Sequence, residues 1–170
     1  PARCVVAGIG VDPDTAWLVK CGIELDKRGF IKVDIGEVTE KADVYFIGDC
    51  VTAPLPFFGV ESINIQHFQT AQKHGQLAAD VLMKKSEIAH NVPFFWATFF
   101  LEIGIKFAGI SEGHNSVLLR GNTDSFDFVQ YYFKDNRVIA VCSSGSSKAS
   151  IQFQSMCSKK LKLTREQVER

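Results

Sequence analysis

Val44-Tyr45-Phe46-Ile47-Gly48-Asp49-Cys50 is the stretch of this 170-residue chain best suited to hold a ligand. Its four leading apolar or aromatic residues predict a buried strand that stops at a Gly-Asp pair. Gly48 has no Cβ, so a ligand can approach the backbone there. Asp49 then offers two acceptor oxygens at the carboxyl end of the strand, where open α/β sheets bind their ligands. Cys50 reads either as a thiol beside the ligand or as a small buried apolar side chain. The second place with chemistry is Gln66-His67-Phe68, at the start of a long helical pattern. A helix start presents unpaired N–H groups and the positive end of the macrodipole, which together favour a negative charge. His67 is the titratable side chain of that turn, readable as an acid or as a ring-edge or surface histidine.

The elements around these residues fall into two parts. Residues 1 to 90 alternate strand and helix signals: a strand at Cys4 to Ala7, then a helix capped by Asp12 with Pro13 at its first position and ending near Gly22. A short strand is predicted from Phe30 to Val33, the ligand strand from Val44 to Ile47, and a loop with Pro54, Pro56 and Gly59. The long helix runs from about Asn64 to Lys85, with Ile65, Phe68, Ala71, Ala78 and Leu82 on one face. Residues 91 to 170 carry consecutive strand patterns at Lys106 to Ala108, Val117 to Leu119, Phe126 to Phe133 and Arg137 to Cys142. Strands without helices between them predict an antiparallel sheet, with Asp135-Asn136 as a hairpin turn. A helix over Ser147 to Lys160 and a capping box of Thr164 with Gln167 complete the part. Lys159, Lys160, Lys162 and Arg165 form a solvated face, and Trp17 is read as core. The fold class is therefore α/β followed by α+β.

Several functions are disfavoured at once. Formal net charge is zero, so nothing points to a nucleic acid partner. No apolar run reaches the ~18 residues of a membrane span. Five cysteines without CxxC or metal-like spacing leave zinc unsupported and predict a reducing, intracellular setting, cytoplasmic or mitochondrial. Gly8-x-Gly10 looks like half of a dinucleotide fingerprint, but Val11-Asp12-Pro13 follows without the third glycine, so a Rossmann loop is rejected there.

Three segments carry a family resemblance. Cys4 to Thr15, with Gly8, Ile9, Gly10 and Pro13, resembles the VVxGIGxxPNT segment of FAD-dependent pyridine-nucleotide reductases. Thr39 with Val44 to Asp49 resembles the second flavin motif of that superfamily. Pro93-Phe94-Phe95-Trp96 is similar to the element opening the carboxy-terminal domain of one branch. That branch holds the ferredoxin reductases of oxygenase systems and the apoptosis-inducing-factor-like proteins, and His67-Phe68 stands where the latter have His-Trp. The resemblance implies the carboxy-terminal part of a larger flavoenzyme that binds FAD and NAD(P)H. It implies electrons passing to an iron–sulfur partner of Rieske or ferredoxin type. It places Gly8, Gly10 and Pro13 along the nicotinamide cleft. Gly48, Asp49 and Cys50 then lie by the ribityl or pyrophosphate region, and Gln66, His67 and Phe68 at the pyrimidine edge of the isoalloxazine. Trp96 would cover the flavin, and the alternative for it is a domain-core tryptophan. No residue is implied as a nucleophile or obligate acid, because the cofactor carries the chemistry. The segment alone is expected to bind FAD weakly and to turn over nothing, since the glycine loop for the pyrophosphate is missing. The competing expectation is a non-enzymatic interaction module whose Phe-rich second part docks a partner or another copy of the chain as a homodimer.

Overall fold

The computed structural model describes residues 2–34, 44–85 and 91–170, so the expectation for Thr39 lies outside the described residues. Its second part is a five-stranded antiparallel sheet in the order β4-β5-β8-β7-β6. The strands are β4 (Phe94–Phe99), β5 (Ile103–Gly109), β6 (Ser116–Asn122), β7 (Asp127–Lys134) and β8 (Arg137–Ser144). All four predicted strands are present, and the residues read only as a motif, Phe94 to Trp96, begin a fifth. Alternation explains the pairing of β7: Val129, Tyr131 and Phe133 join the core, while Phe128, Gln130 and Tyr132 point to the other face. The β7–β8 hairpin turns at Asp135, which accepts a positive φ of 56° and is held by a reciprocal pair of bonds with the Asn115 side chain. Gly109 is needed for another reason. Its φ is +92°, and a Cβ there would collide with the Ile139 carbonyl on the neighbouring strand.

Helix α2 (Ala149–Ser158) lies across β5 and β8 and buries Phe153 and Cys157 against Ala108, Phe133, Val138 and Val141. Ser150 fixes it in place: its buried hydroxyl lies 3.0 Å from the carbonyls of both Lys106 and Val141. Burial pushes the Cys157 thiol up to about 11, with Arg137 partly opposing it, which leaves it an inert core side chain. The terminal helix α3 (Arg165–Glu169) has the capping box that Thr164 and Gln167 predict, with both reciprocal bonds formed. Thr164→Ala should therefore cost about 1 kcal/mol of stability, read as a lower urea midpoint with an unchanged slope.

The first part is smaller. Strand β1 (Ile31–Lys32) runs parallel to β2 (Val51–Leu55), which pairs antiparallel with β3 (Val60–Ile63). Leu18, Ile31 and Val51 make its core. Leu55 and Phe58 instead join the cluster of the second part, so the larger core crosses residue 90. Arg137 ties the two parts together: it donates to the Phe57 carbonyl at 2.6 Å and lies 4.5 Å over the Phe57 ring.

Five expectations need correction. Cys4 to Ala7 is exposed and forms no strand, because no described strand lies beside it to pair. The early helix is a 3-10 helix, Ala16–Cys21, that starts after Thr15 rather than Asp12; its end at Gly22 is as predicted. Val44 to Ile47 is unpaired, and sheet structure begins after the Gly-Asp pair instead of before it. The supposed loop is the β2–β3 hairpin, in which Pro54 sits at a register shift between Ala53 and Leu55, where no ladder donor is required. Trp17 is not core: it is exposed, with its indole N–H donating to the Asp14 carbonyl.

Candidate functional site

Helix α1 (Phe68–Leu82) is the long element of the first part, and His67 caps it. The helix packs on a 3-10 turn, Gly48–Cys50, and on β4. Its buried residues are Thr70, Leu77 and Asp80, whereas Phe68 and Leu82 of the predicted stripe face outward. The correction has a cause. The helix docks against a small turn and an edge strand, so a narrow seam is covered instead of a broad apolar face.

Gly48 is close to the helix in the way its type permits. Its φ is +82°, and a Cβ at this position would lie 3.5 Å from the Ala71 methyl. The Gly48 N–H donates to His74 Nδ1 at 3.2 Å. From the other side the Asn64 side chain donates to the carbonyls of Asp49 at 2.8 Å and Val51 at 2.7 Å. These bonds lock the turn to the segment leading into α1 and, through His74, to the helix two turns in. The Asp49 carboxylate faces solvent, and among the described residues nothing hydrogen-bonds to it. Cys50 is half-buried, its thiol donating to the Ile47 carbonyl, and burial raises its pKa, so a reactive thiolate is disfavoured.

At the helix start, His67 Nδ1 accepts the Gln69 N–H at 3.2 Å. Ala71 N–H closes the first helical bond to the His67 carbonyl, which leaves the N–H groups of Phe68 and Thr70 without intrahelical acceptors. The His67 ring lies 4.7 Å from Phe68 and 5.8 Å from Phe95 between centroids. Phe95 stacks on Phe107 at 5.3 Å, and Phe107 meets Tyr132 at 5.9 Å. An aromatic row thus runs from the helix start across the sheet face opposite α2. Trp96, the next residue of β4, points to the other side of the strand and is 51% exposed, so it is no domain-core tryptophan. Gln66 donates to the Asn64 side chain, which itself holds the Asp49 turn.

The structure thus links the Gly48–Cys50 turn to Gln66 through Asn64 and to α1 through His74, and sets the His67 ring beside Phe68 and Phe95. Gly8 and Gly10 stand apart: both are exposed, and a Cβ at either would touch nothing. Pro13 lies against Gly29. Asn64 and His74 are the residues that sequence reasoning missed. His74 follows His67 by seven residues and so shares its helix face, which was the available signal.

Burial lowers the pKa of His74, with Asp49 partly opposing the shift. A folded pKa below 6.5 means that the unfolded chain binds more protons in the window just beneath that value. Stability from this group is complete above it and is lost as pH falls toward the folded pKa. Urea midpoints at about pH 7.5 and about pH 5 should show the drop, and His74→Gln, which keeps an acceptor for Gly48, should shrink it.

The comparisons define a class. Residues 1–75 match the pyridine nucleotide-disulphide oxidoreductase family and residues 94–169 match the reductase C-terminal family. Among individual relatives, apoptosis-inducing factor 3 of Mus musculus is 37% identical over 84% of this chain and 23% of its own length. Putidaredoxin reductase of Pseudomonas putida is 29% identical over 83% of this chain and 32% of its own. The covalent putidaredoxin reductase–putidaredoxin complex contains a chain that superposes with a TM-score of 0.86, at 25% identity over 98% of this chain and 39% of that one. The chain thus spans less than half the length of these relatives.

Proposed function

We propose that the chain supplies the flavin-facing portion of an FAD-dependent NAD(P)H oxidoreductase that delivers electrons to an iron–sulfur partner of ferredoxin or Rieske type. The observation that carries the reading is the Gly48–Cys50 turn bonded by Asn64 to the segment leading into α1 and by His74 to the helix itself. The residues present fit the cofactor: a solvent-facing carboxylate with no hydrogen-bond partner among the described residues, free helix-start N–H groups and a flat aromatic wall lie together.

When bound, FAD supplies hydride acceptance from a nicotinamide and single-electron release. The protein's own groups do the rest. The Phe68 and Thr70 N–H groups, with the macrodipole behind them, favour negative charge on the ring edge. Asp49 accepts hydroxyl donors of the ribityl region. His67, with Nδ1 engaged as the cap, acts as a ring-edge residue and not as an acid. Phe68 and Phe95 exclude water, while Trp96, on the other side of β4, stands outside this wall. Gly8, Gly10 and Pro13 keep their proposed place along the nicotinamide. The setting is intracellular, cytoplasmic or mitochondrial, in keeping with five cysteines that form no disulfide.

The aromatic sheet face also favours the second reading, an interaction module that pairs with itself. Purification of the full-length protein separates the two. Flavin absorbance with NAD(P)H-dependent reduction of an iron–sulfur acceptor is expected. A colourless protein that self-associates would replace the first reading with the second.

A further inference from the structure

Six residues other than glycine have positive φ among those described, and three of them are large and apolar: Phe100 (52°), Leu101 (61°) and Phe126 (53°). Bulky side chains rarely accept this region, and a turn with two such central residues is normally built from Asn and Gly. Phe100 and Leu101 occupy the centre of the β4–β5 turn, closed by the Glu102 N–H on the Phe99 carbonyl. They are 91% and 94% exposed, so packing does not explain their presence. Phe126 lies in the β6–β7 turn.

Both turns lie at one end of the sheet. Ile105 pairs with Ser144 and Val129 with Ser143, so β5 and β7 flank β8 and their hairpins project past its last residue. Two strained, apolar tips therefore stand about 14 Å apart, three strand spacings between hairpin centres, with Phe99 half-exposed beside them. Strain kept at an exposed position is a mark of a functional site.

We propose that this end of the sheet is a lipid-contacting wedge, in which Phe100 and Leu101, seconded by Phe126, enter the headgroup region of a zwitterionic membrane surface. Shape and area select the occupant. Phe100 and Leu101 with the 41% of Phe126 that is exposed offer roughly 400 Å² of apolar area at ~150–250 Å² per large side chain. A stable protein interface buries about 800 Å² per partner, so a second copy is poorly served. Insertion into a fluid interface needs only the protruding side chains. Charge selects the lipid: Glu102, Asp124 and Asp127 border the tips against Lys148 alone, which disfavours an anionic surface. Phe100, Leu101 and Phe126 are none of the residues assigned to the flavin, so the wedge stands independently of that reading.

Cosedimentation of the full-length protein with phosphatidylcholine vesicles tests it, in low salt and in about 0.5 M salt, where exposed charges are screened. Binding is expected at both, and the double variant Phe100→Asn with Leu101→Gly should weaken it at least tenfold. The same variant relieves the turn, so its melting temperature should be equal or higher, which separates lost contact from lost fold. Phe100→Ser alone should give an intermediate loss. Three results would overturn the proposal: no binding to these vesicles, binding confined to anionic vesicles and abolished by salt, or a self-associated protein that the double variant turns into a monomer.

Discussion

Asp49→Ala in the full-length protein is expected to lower bound flavin per chain by tenfold or more and to leave the fold in place. The carboxylate faces solvent, and among the described residues it has no hydrogen-bond partner. Its loss should therefore move stability by no more than about 0.5 kcal/mol, a melting shift of about 2 °C or less. The turn itself survives, because Asn64 holds the Asp49 backbone carbonyl and His74 holds the Gly48 N–H. Flavin absorbance against protein absorbance measures the effect directly. Asn64→Ala should act differently, loosening the turn and lowering both flavin content and stability. Unchanged flavin loading in Asp49→Ala would remove the residue from the site.

Phe133→Ala should be the most damaging substitution in the sheet. The ring is fully buried at the meeting point of β7, α2 and α3, with the Arg165 guanidinium 3.9 Å above its centroid. Removing it leaves a cavity and strips the arginine of its aromatic partner. A loss of about 3–5 kcal/mol follows, lowering the melting temperature by on the order of 10 °C in a chain of this size. Phe126→Ala, a tip residue, should change stability little by comparison. Calorimetry on the pair distinguishes a core role from exposure.

The sheet was legible because its strands obey a period of two and its hairpin turn carries Asp-Asn, signals that local chemistry enforces. The capping box was legible for the same reason: Thr164 and Gln167 satisfy each other within one turn. The first part was harder to read. Cys4 to Ala7 and Val44 to Ile47 have strand composition, yet a strand exists only where a neighbour supplies its ladder, and composition does not record the neighbour. Pro54 and Pro56 signalled a loop, whereas a bulge lets Pro54 stay inside β2. Asp49 and the His67 turn were visible as chemistry. Asn64 and His74, which join them, were not: the spacing of His67 and His74 placed both on one helix face, but a side-chain bond across 15 or 26 residues has no local signature.

The central claim is that the Gly48–Cys50 turn and the entry of α1 form one cradle for the flavin. A crystal structure of the full-length protein grown with FAD tests it most directly. The expected result has the isoalloxazine edge at the Phe68 and Thr70 N–H groups and the Asp49 carboxylate on the ribityl or pyrophosphate region. Flavin bound elsewhere, with the Asp49 carboxylate and the start of α1 both facing bulk solvent, would contradict the account.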